Sequence, residues 1–378
     1  MAIGAAQSRR HTRQTRDQRY VVASQWQLTL WRFLRHKMAV FALLILGVFY
    51  LVVVFAEFVA PYDPYHNDAK YLHAPPQRLR FIDDEGRLHP RPFVYGLKSE
   101  VDPVRMALVF ELDTSARHPL ALFVKGDPYR MWGLFESRVH LFGVREGTLF
   151  LLGADRMGRD LLTRVIYGGR ISLTIGLVGI AISFVLGILI GGISGYFGGL
   201  ADMAIQRVIE FIRSIPTLPL WMALSLALPP YWSIIKVYFG IVIILSLVGW
   251  TDLARVVRGR FLSLKEEDFV QAARLNGCSR GRIIARHLLP SFYSYVIASL
   301  TLSIPGMIIG ETALSFIGLG LQPPAISWGV LLKEAQHIRV LANAPWLLTP
   351  SLFVIVAILA FNFVGDGLRD AADPYTAV

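Results

Sequence analysis

The most conspicuous pattern in the chain is a series of long runs that contain no Asp, Glu, Lys or Arg. These charge-free runs are residues 38–56, 171–201, 214–235, 288–310 and 340–365. A helix rises 1.5 Å per residue, so about 20 apolar residues cross a hydrocarbon core about 30 Å thick. The runs and the turn signals between them predict six membrane-spanning helices, at residues 38–58, 172–196, 206–228, 234–251, 290–311 and 346–366.

Two of the predicted spans carry a further signal. In the second span and just beyond its end, glycines recur every four positions, at Gly187, Gly191, Gly195 and Gly199. Such a row allows another helix to approach closely in lipid, so we predict a tight helix–helix contact along it. In the third span, Pro216 predicts a kink in the helix.

The segment between the first two predicted spans differs in composition from the rest of the chain. Residues 61–150 are rich in Pro, Gly, charged and aromatic residues. The β-favouring pieces within the segment are short, at residues 93–95, 120–124, 139–144 and 148–152. A loop of about 90 residues would be unusual in a compact protein, so the sequence predicts a small, partly β domain on the outside of the membrane.

The N-terminal region predicts a membrane anchor that is not cleaved. Trp26, Leu30, Phe33 and Leu34 share one face of a helix, next to basic residues, which is typical of a helix lying at the membrane surface. The apolar run that follows is longer than the core of about 7–15 residues that signal peptides have. The predicted organisation is a basic tail with an interfacial helix (1–37), a first spanning helix (38–58), an extracytoplasmic insert (59–170), a five-helix transmembrane domain (171–366) and a C-terminal tail (367–378).

Composition and charge exclude several classes of protein and give an orientation. The chain is 54% hydrophobic and 17% charged, which excludes a soluble enzyme and a disordered tail. Residues 1–37 hold eight basic residues and one acidic residue, and residues 252–287 hold eight and four, whereas residues 57–170 are close to neutral. Basic segments beside spanning helices stay in the cytoplasm, so residues 1–37 and 252–287 are predicted there. Six crossings return the C-terminus to the same side, which predicts a multi-pass protein of the cell inner membrane with both termini in the cytoplasm. No aromatic–basic interleaving accompanies the net charge of +11, so we expect the lipid bilayer, and no nucleic acid, as a partner.

The sequence predicts no catalytic residue, metal site or cofactor. Cys278 is the single cysteine, and neither a GxxxxGK[ST] phosphate loop nor an HExxH pattern occurs. The charged residues Asp155, Arg159, Asp160 and Arg164 precede or begin the second span. They are predicted to pair with one another and to tie down the start of that span, rather than to bind a substrate.

The segment from Glu266 to Pro290 predicts a helix–turn–helix between two spans. Acidic residues suit the start of a helix over residues 265–276. Gly277 can adopt the left-handed conformation that ends a helix, and Ser279 can cap a second short helix. Ala272 and Ala273 leave a flat face on the first helix, which we expect to be open to docking by another protein.

This segment resembles the EAA loop of ABC-importer permeases, which is the coupling helix that docks on the ATP-binding subunit in that family. The residues that carry the resemblance are Gln271, Ala272, Ala273, Gly277, Leu289 and Pro290. Gln271 stands where the family usually has Glu. The resemblance implies that Ala273 faces the groove of the ATPase.

Three further stretches resemble the permeases of the dipeptide, oligopeptide, opine and nickel class. The first surrounds the start of the second span and includes Asp155, Gly158, Arg159, Asp160 and Arg170. The others are residues 314–329, which resemble the extracytoplasmic loop of these permeases, and residues 362–374, which resemble their C-terminal end. The resemblance implies the type I ABC importer fold, an all-α polytopic membrane protein with six spanning helices, here with a partly β insert.

The resemblance also implies a function and a set of partners. The chain would be one permease subunit of an ATP-driven importer that moves short peptides, opines or small oligosaccharides by alternating access. Its partners would be a second homologous permease, two ATP-binding subunits and an extracytoplasmic solute-binding protein. The alternatives are a secondary transporter, which usually has ionisable residues at the membrane midplane, and an intramembrane enzyme, for which no nucleophile–base pattern is present.

Overall fold

A computed structural model describes residues 25–102 and 107–372 of the chain. The described part is mostly helical, with one small sheet inserted after the first long helix, as the sequence predicts. Before the sheet, the helices are α1 (Gln25–Arg35), α2 (Lys37–Val54) and α3 (Ala56–Val59). Phe33 of α1 is buried in the same apolar cluster as Ala39 of α2, so α1 packs on the helical bundle. The predicted basic residues before position 25 lie outside the described residues.

The insert is an antiparallel meander of four strands. The strands are β1 (Arg80–Ile82), β2 (Leu88–Asp102), β3 (Ala107–Met131) and β4 (Phe135–Val144), and they are hydrogen-bonded in chain order. The first half of β3 pairs with β2 and its second half pairs with β4. Residues 148–152, which we predicted as β, form no strand, because Phe150 is instead hydrogen-bonded through its backbone to the side chain and backbone of Gln77.

The remaining helices form the membrane domain and its connections. They are α4 (Leu161–Phe197), α5 (Gly199–Ser214), α6 (Thr217–Leu226), α7 (Ile234–Leu264), α8 (Asp268–Leu275), α9 (Arg280–Ile283), α10 (Tyr293–Ile317), α11 (Trp328–Lys333), α12 (Ile338–Asn343) and α13 (Thr349–Ala372). A π-turn at Ile284–Leu288 and a further helical turn connect α9 to α10.

Five helices in the described part of the chain are long and apolar enough to cross a membrane, namely α2, α4, α7, α10 and α13 with its preceding turn. The third span predicted from the sequence is instead divided into α5 and α6, which separate at Ile215 and Pro216. The break has a physical cause, since Pro216 lacks the N–H that a continuous helix would need at that position.

The order of contacts shows that α5 and α6 together return the chain across the bundle. Thr174 and Gly179, early in α4, are hydrogen-bonded to Tyr238 and Ser246, early in α7. The end of α4 likewise meets the end of α7. The two helices therefore run in the same direction, and the segment between them has to reverse that direction. Six traverses of the bundle result, five of them by continuous helices.

The insert and the helix–turn–helix lie at opposite ends of the bundle. Val53, at the end of α2, lies against Gly169 near the start of α4, at the end that carries the sheet. Ala39, at the start of α2, lies against Gly367 near the end of α13. That second end also holds the end of α7, from which α8 follows. The predicted placement of the N-terminal region and residues 252–287 on one side is consistent with this arrangement.

Helices α4 and α7 extend furthest beyond their apolar runs. Helix α4 begins at Leu161, ten residues before the predicted domain boundary at 171, so residues 161–170 belong to the bundle and not to the insert. Helix α7 continues to Leu264 rather than ending near residue 251. Charged side chains do not stop a helix, because the backbone hydrogen bonds continue beyond the apolar window.

Candidate functional site

The turn after α7 is built as the sequence suggests, although its first helix is shorter. Helix α8 spans Asp268–Leu275 rather than residues 265–276. Gly277 has φ = +73°, and the N–H groups of Asn276 and Cys278 donate to the carbonyls of Ala272 and Ala273, at 3.0 and 3.1 Å. This left-handed closure is favourable for glycine, which has no Cβ.

The residues that follow Gly277 depart from the expected geometry in two ways. Ser279 directly precedes α9, but its side chain makes no capping hydrogen bond. Leu289, at the end of the turn, is half-buried and Pro290 is exposed. Since Pro290 has no N–H to donate, the helical ladder is broken next to it, and the N–H of Leu289 donates to Ile284 across the wider π-turn.

Ala273 lies on the buried face of α8, although the resemblance implied that it faces a partner. Val270 and Ala273 are buried, at 0% and 6% exposure, in a cluster with Val257 and Phe261 of α7 and Ile283 of α9. The inference that Ala273 faces a partner is therefore wrong for this structure. The side chain points into the chain's own core, because Val270 and Ala273 occur three residues apart on one helical face.

The exposed face of α8 is formed by the remaining apolar residues. Phe269 is 43% exposed and Leu275 is 89% exposed, and Ala272 lies between them on the same side. Gln271 is half-buried and its side-chain amide donates to the carbonyl of Lys265 at 3.2 Å, so it helps to fix the start of α8. We name Phe269, Ala272 and Leu275 the exposed α8 face.

The turn is attached to the ends of two long helices. Phe261 packs edge-to-face with Phe292, with ring centroids 5.8 Å apart. The guanidinium of Arg274 lies 5.7 Å from the ring centroid of Tyr196, and that of Arg280 lies 5.6 Å from the ring of Phe197 at the end of α4. Cation–π contacts of this kind stabilise the docking of α8 and α9 against α4.

The glycine row brings α4 and α7 into close contact at three of its four positions. A Cβ built at Gly187 would lie 2.7 Å from Leu253, and one at Gly195 would lie 2.8 Å from the carbonyl of Arg258. Gly191 faces the backbone of Ala254 directly. Gly199 does not belong to this contact, because α4 ends before it, and it has φ = +57° with open space around it.

The charged residues before α4 form one compact cluster at the insert end. Asp155 is 1% exposed and accepts from the backbone of Arg159 and from its Nε, the latter at 2.7 Å, while Arg164 lies 3.4 Å away. Glu334, which directly follows α11, also belongs to the cluster, with Oε1 of its carboxylate 3.6 Å from Nη2 of Arg159. The sequence did not identify Glu334, which is distant in the chain. Burial raises the pKa of Glu334, and the nearby Asp155 raises it further.

The sequence predicts that Asp160 pairs with a neighbouring arginine, but in the structure Asp160 caps a helix. Its carboxylate accepts from the N–H of Thr163 at 2.7 Å and so caps the first turn of α4. Burial raises the pKa of Asp160 to about 7. Gly158 has φ = +73°, and a Cβ there would clash with the backbone of Asp68, so only glycine fits this turn.

Arg170 is not part of this cluster but joins α4 to the end of α2. Its guanidinium donates to both oxygens of Glu57, at 2.9 and 2.7 Å, and to the carbonyl of Val53 at 3.2 Å. Burial raises the pKa of Glu57, but hydrogen bonds from Arg170 and from backbone N–H groups outweigh it, so the pKa lies below its ordinary value. The bidentate geometry favours a strong, well-oriented pair.

The buried carboxyl group of Glu311 lies at the centre of a hydrogen-bond network. Glu311 of α10 is fully buried and accepts from Ser172 of α4 at 3.1 Å and from Ser315 at 2.9 Å. The hydroxyl of Ser172 also accepts from the N–H of Trp328, and that of Ser315 from the N–H of Leu321. The network therefore fixes the loop between α10 and α11 against α4.

Comparison with protein families identifies two matching regions. Residues 187–378 match the binding-protein-dependent transport system inner membrane component, a region that includes α7 to α13 and the exposed α8 face. Residues 24–76 match the N-terminal transmembrane domain of oligopeptide transport permease C. The sheet of the insert lies between these two regions.

Individual permease proteins are similar over 59% of this chain. The oligopeptide transport system permease protein OppC of Haemophilus influenzae is 43% identical over 224 residues, which cover 59% of this chain and 69% of that protein. The dipeptide transport system permease protein DppC of Bacillus subtilis is 38% identical over 223 residues, covering 59% and 68%. A chain of the methionine ABC transporter MetNI is similar in structure over 56% of this chain and 98% of that chain, with a TM-score of 0.46 and 18% identity. From the family match and the identities to OppC and DppC, the chain belongs to the binding-protein-dependent transport system inner membrane components, which are multi-pass permeases.

Proposed function

We propose that this chain is a transmembrane subunit of an ATP-driven importer for short peptides. Its relatives are named as oligopeptide and dipeptide permeases, which supports this substrate class over opines and oligosaccharides. The observation that carries the proposal is the exposed α8 face, a set of apolar side chains on a short helix that joins two long helices of the bundle. ATP hydrolysis would be carried out by two separate subunits, and a second permease and a solute-binding protein would complete the importer.

The exposed α8 face is suited to docking by an ATP-binding subunit. Phe269 and Leu275 present large apolar side chains, 43% and 89% exposed, on a helix of eight residues, or about two turns. Burying such side chains in a partner's groove is worth about 1.5–3 kcal/mol each. The opposite face, with Val270 and Ala273, is packed into the chain's own core, so α8 is held firmly enough to pass on a force.

The contacts behind α8 supply the route for that force. Val270 and Ala273 pack on α7, while Arg274 and Arg280 lie over aromatic rings at the end of α4. Helices α4 and α7 in turn pack backbone to backbone along the glycine row. A displacement of α8 by the ATPase would therefore move α4 and α7 together, which is what alternating access requires of a rigid half of the bundle.

We further propose that the end of the bundle with α8 faces the cytoplasm and that the insert faces outward. The excess of basic residues in 1–37 and 252–287 supports this orientation. In this orientation the N-terminal and C-terminal regions are both cytoplasmic, where α8 can reach ATP-binding subunits. The insert and the loop between α10 and α11 then lie where a solute-binding protein would deliver its ligand.

The test is to place a charge on the exposed α8 face without disturbing the core. Leu275→Asp should abolish co-purification of the ATP-binding subunits, because an unpaired charge buried in an apolar groove costs several kcal/mol. A loss of about 4 kcal/mol corresponds to a roughly thousandfold weaker affinity. The readout is the amount of ATPase subunit recovered with the affinity-tagged chain, measured beside the chain's abundance in the membrane.

Ile338→Asp is the matched control, because Ile338 is 84% exposed and lies in α12, outside the α8 turn. This variant should retain the ATP-binding subunits. Normal recovery of those subunits with Leu275→Asp would show that they do not dock on this face, and the proposed coupling would then be wrong.

A further inference from the structure

The tip of the β3–β4 hairpin lies beside the end of the first spanning helix. The indole Nε1–H of Trp132, at the turn of the hairpin, donates to the carbonyl of Val54 at 2.8 Å. The ring of Trp132 lies 5.5 Å from that of Phe55, and the backbone N–H of Trp132 contributes to the low pKa of Glu57. Trp132 has φ = +51°, a conformation that a bulky residue adopts only where its surroundings hold it.

The break between α2 and α3 explains why the tip is held there. The last carbonyls of a helix have no intrahelical donor and need other partners. At this break, Arg170 donates to the carbonyl of Val53 and Trp132 donates to that of Val54. Farther from the tip, the imidazole of His140 is hydrogen-bonded to the carbonyl of Ala60, and the carboxylate of Asp127 accepts from the N–H of Asp63. The hairpin therefore runs alongside α3, with its tip at the end of α2.

The length of α2 places this contact at a membrane surface. Helix α2 has 18 residues from Lys37 to Val54, or about 27 Å at 1.5 Å per residue, close to the hydrocarbon thickness of about 30 Å. With Lys37 at one surface, Val54 lies at the other. Outward-facing residues of α2 form an apolar stripe that ends beside Trp132. The stripe consists of Leu44, Val48, Leu51 and Val54.

The side chains at the hairpin tip continue this stripe. Trp132 is 50% exposed, Leu134 75% and Phe135 63%, three large apolar residues within four positions of one turn. Such a group is costly in water, where exposed turns are normally polar. We propose that the β3–β4 tip inserts into the lipid leaflet next to α2 and anchors the insert to the membrane surface.

The chemistry of the surrounding residues fits a lipid occupant. Tryptophan is enriched at the membrane interface, where its ring is apolar and its N–H is hydrogen-bonded. Arg138 flanks the tip and is exposed, as is Arg130, whose guanidinium is also bonded to Glu136 at 2.9 Å. Long basic side chains can reach lipid headgroups from such positions. The stripe on α2 already belongs to a helix that spans the membrane, so the tip extends a lipid-facing surface rather than starting a separate one.

The experiment measures the surroundings of the tip in the full-length chain in phospholipid vesicles. Cys278→Ser removes the single cysteine, and Leu134→Cys is then labelled with an environment-sensitive fluorophore. Leu88→Cys is the matched control, since Leu88 is also 75% exposed but lies at the start of β2, on the half of the sheet that does not pair with β4. Quenching by doxyl-labelled lipids and by aqueous iodide is compared at the two sites.

We expect lipid quenching to be several-fold stronger at Leu134→Cys than at Leu88→Cys, with iodide quenching weaker by a similar factor. Equal iodide access at the two sites with no lipid quenching would overturn the proposal. Protection from iodide without lipid quenching would also overturn it, because a protein surface would then cover the tip. Phe135→Cys repeats the measurement at a second tip position and should give the same result.

Discussion

At the scale of single residues, the closest contacts in the bundle depend on the absence of a side chain. A Cβ at Gly191 would lie 2.8 Å from the Cα of Ala254, a distance that real Cβ atoms do not show. Because backbone lies on both sides, neither helix can relieve the contact by changing a rotamer. The sequence predicted the row from its four-residue spacing, but it could not show that Gly199 falls beyond the end of α4.

Gly191→Ala should therefore destabilise the bundle. Forcing one methyl group into a packed contact typically costs about 1–3 kcal/mol. Gly47→Ala is the control, because Gly47 lies in α2 with nothing within 4 Å of the added Cβ. Thermal unfolding of the purified chain in detergent should show a lower melting temperature for Gly191→Ala and no decrease for Gly47→Ala. Equal melting temperatures would contradict the close approach of α4 and α7.

The two alanines of α8 show what sequence alone leaves undecided at this scale. Ala272 and Ala273 are adjacent, so they point to different sides of the helix, and both sides of α8 carry apolar residues. Phe269 and Leu275 on one side are as hydrophobic as Val270 on the other. Only the packing of Val270 against α7 and α9 identifies the buried side, and that packing joins segments that no local pattern connects.

At the scale of elements, single residues determine where a helix begins and where it breaks. Pro216 divides the third traverse, and Asp160 begins α4 ten residues earlier than the apolar run does. The insert was predicted as partly β, but not as a meander with a strand of 25 residues. Pro119, Gly126 and Pro128 interrupt the sequence of β3 and make it read as several short pieces.

The carboxyl group of Asp160 should make stability depend on pH. Burial raises its pKa in the folded chain to about 7, above its ordinary value of 3.8, so the folded state binds the proton more tightly. The stabilisation from that proton is complete below about pH 4 and is lost as the pH rises through about 7. Asp160→Asn keeps the capping oxygen but cannot titrate, so it should reduce the loss of stability over this range. Glu334, whose pKa is also raised, accounts for the part that remains.

The measurement is thermal unfolding of the purified chain at about pH 5 and about pH 8. Asp160→Ala should also flatten the pH dependence, but it should be less stable than Asp160→Asn at both values by about 0.5–2 kcal/mol, because the cap on Thr163 is lost. An Asp160→Asn chain with the same pH dependence as the original would show that this carboxyl group does not titrate in that range.

At the scale of the whole molecule, the two ends of the bundle carry different structural features. One end carries the sheet, the Asp155 cluster and the loop that Glu311 holds in place, and the other carries α8 and its exposed face. Six traverses could be predicted from apolar runs, and the relative placement of the ends follows from them. Glu311 could not be assigned a role from the sequence, because its hydrogen-bond partner on α4, Ser172, lies 139 residues away.

The surroundings of Glu311 also bear on whether a proton gradient or ATP hydrolysis drives transport. A buried carboxyl group in a span is a typical proton carrier in secondary transporters. Here Glu311 is bound by hydroxyl groups that also hold the backbone of Trp328 and Leu321, so it serves as a structural acceptor. The proposed energy source is instead ATP hydrolysis by subunits that dock on α8.

The most direct test of this account is peptide uptake by the purified chain in proteoliposomes, alone and together with the second permease, the ATP-binding subunits and the binding protein. We predict that a labelled short peptide enters only with the complete set, only with ATP on the side of α8, and equally well after a protonophore collapses the proton gradient. Uptake by this chain alone that follows the proton gradient and needs no ATP would contradict the account.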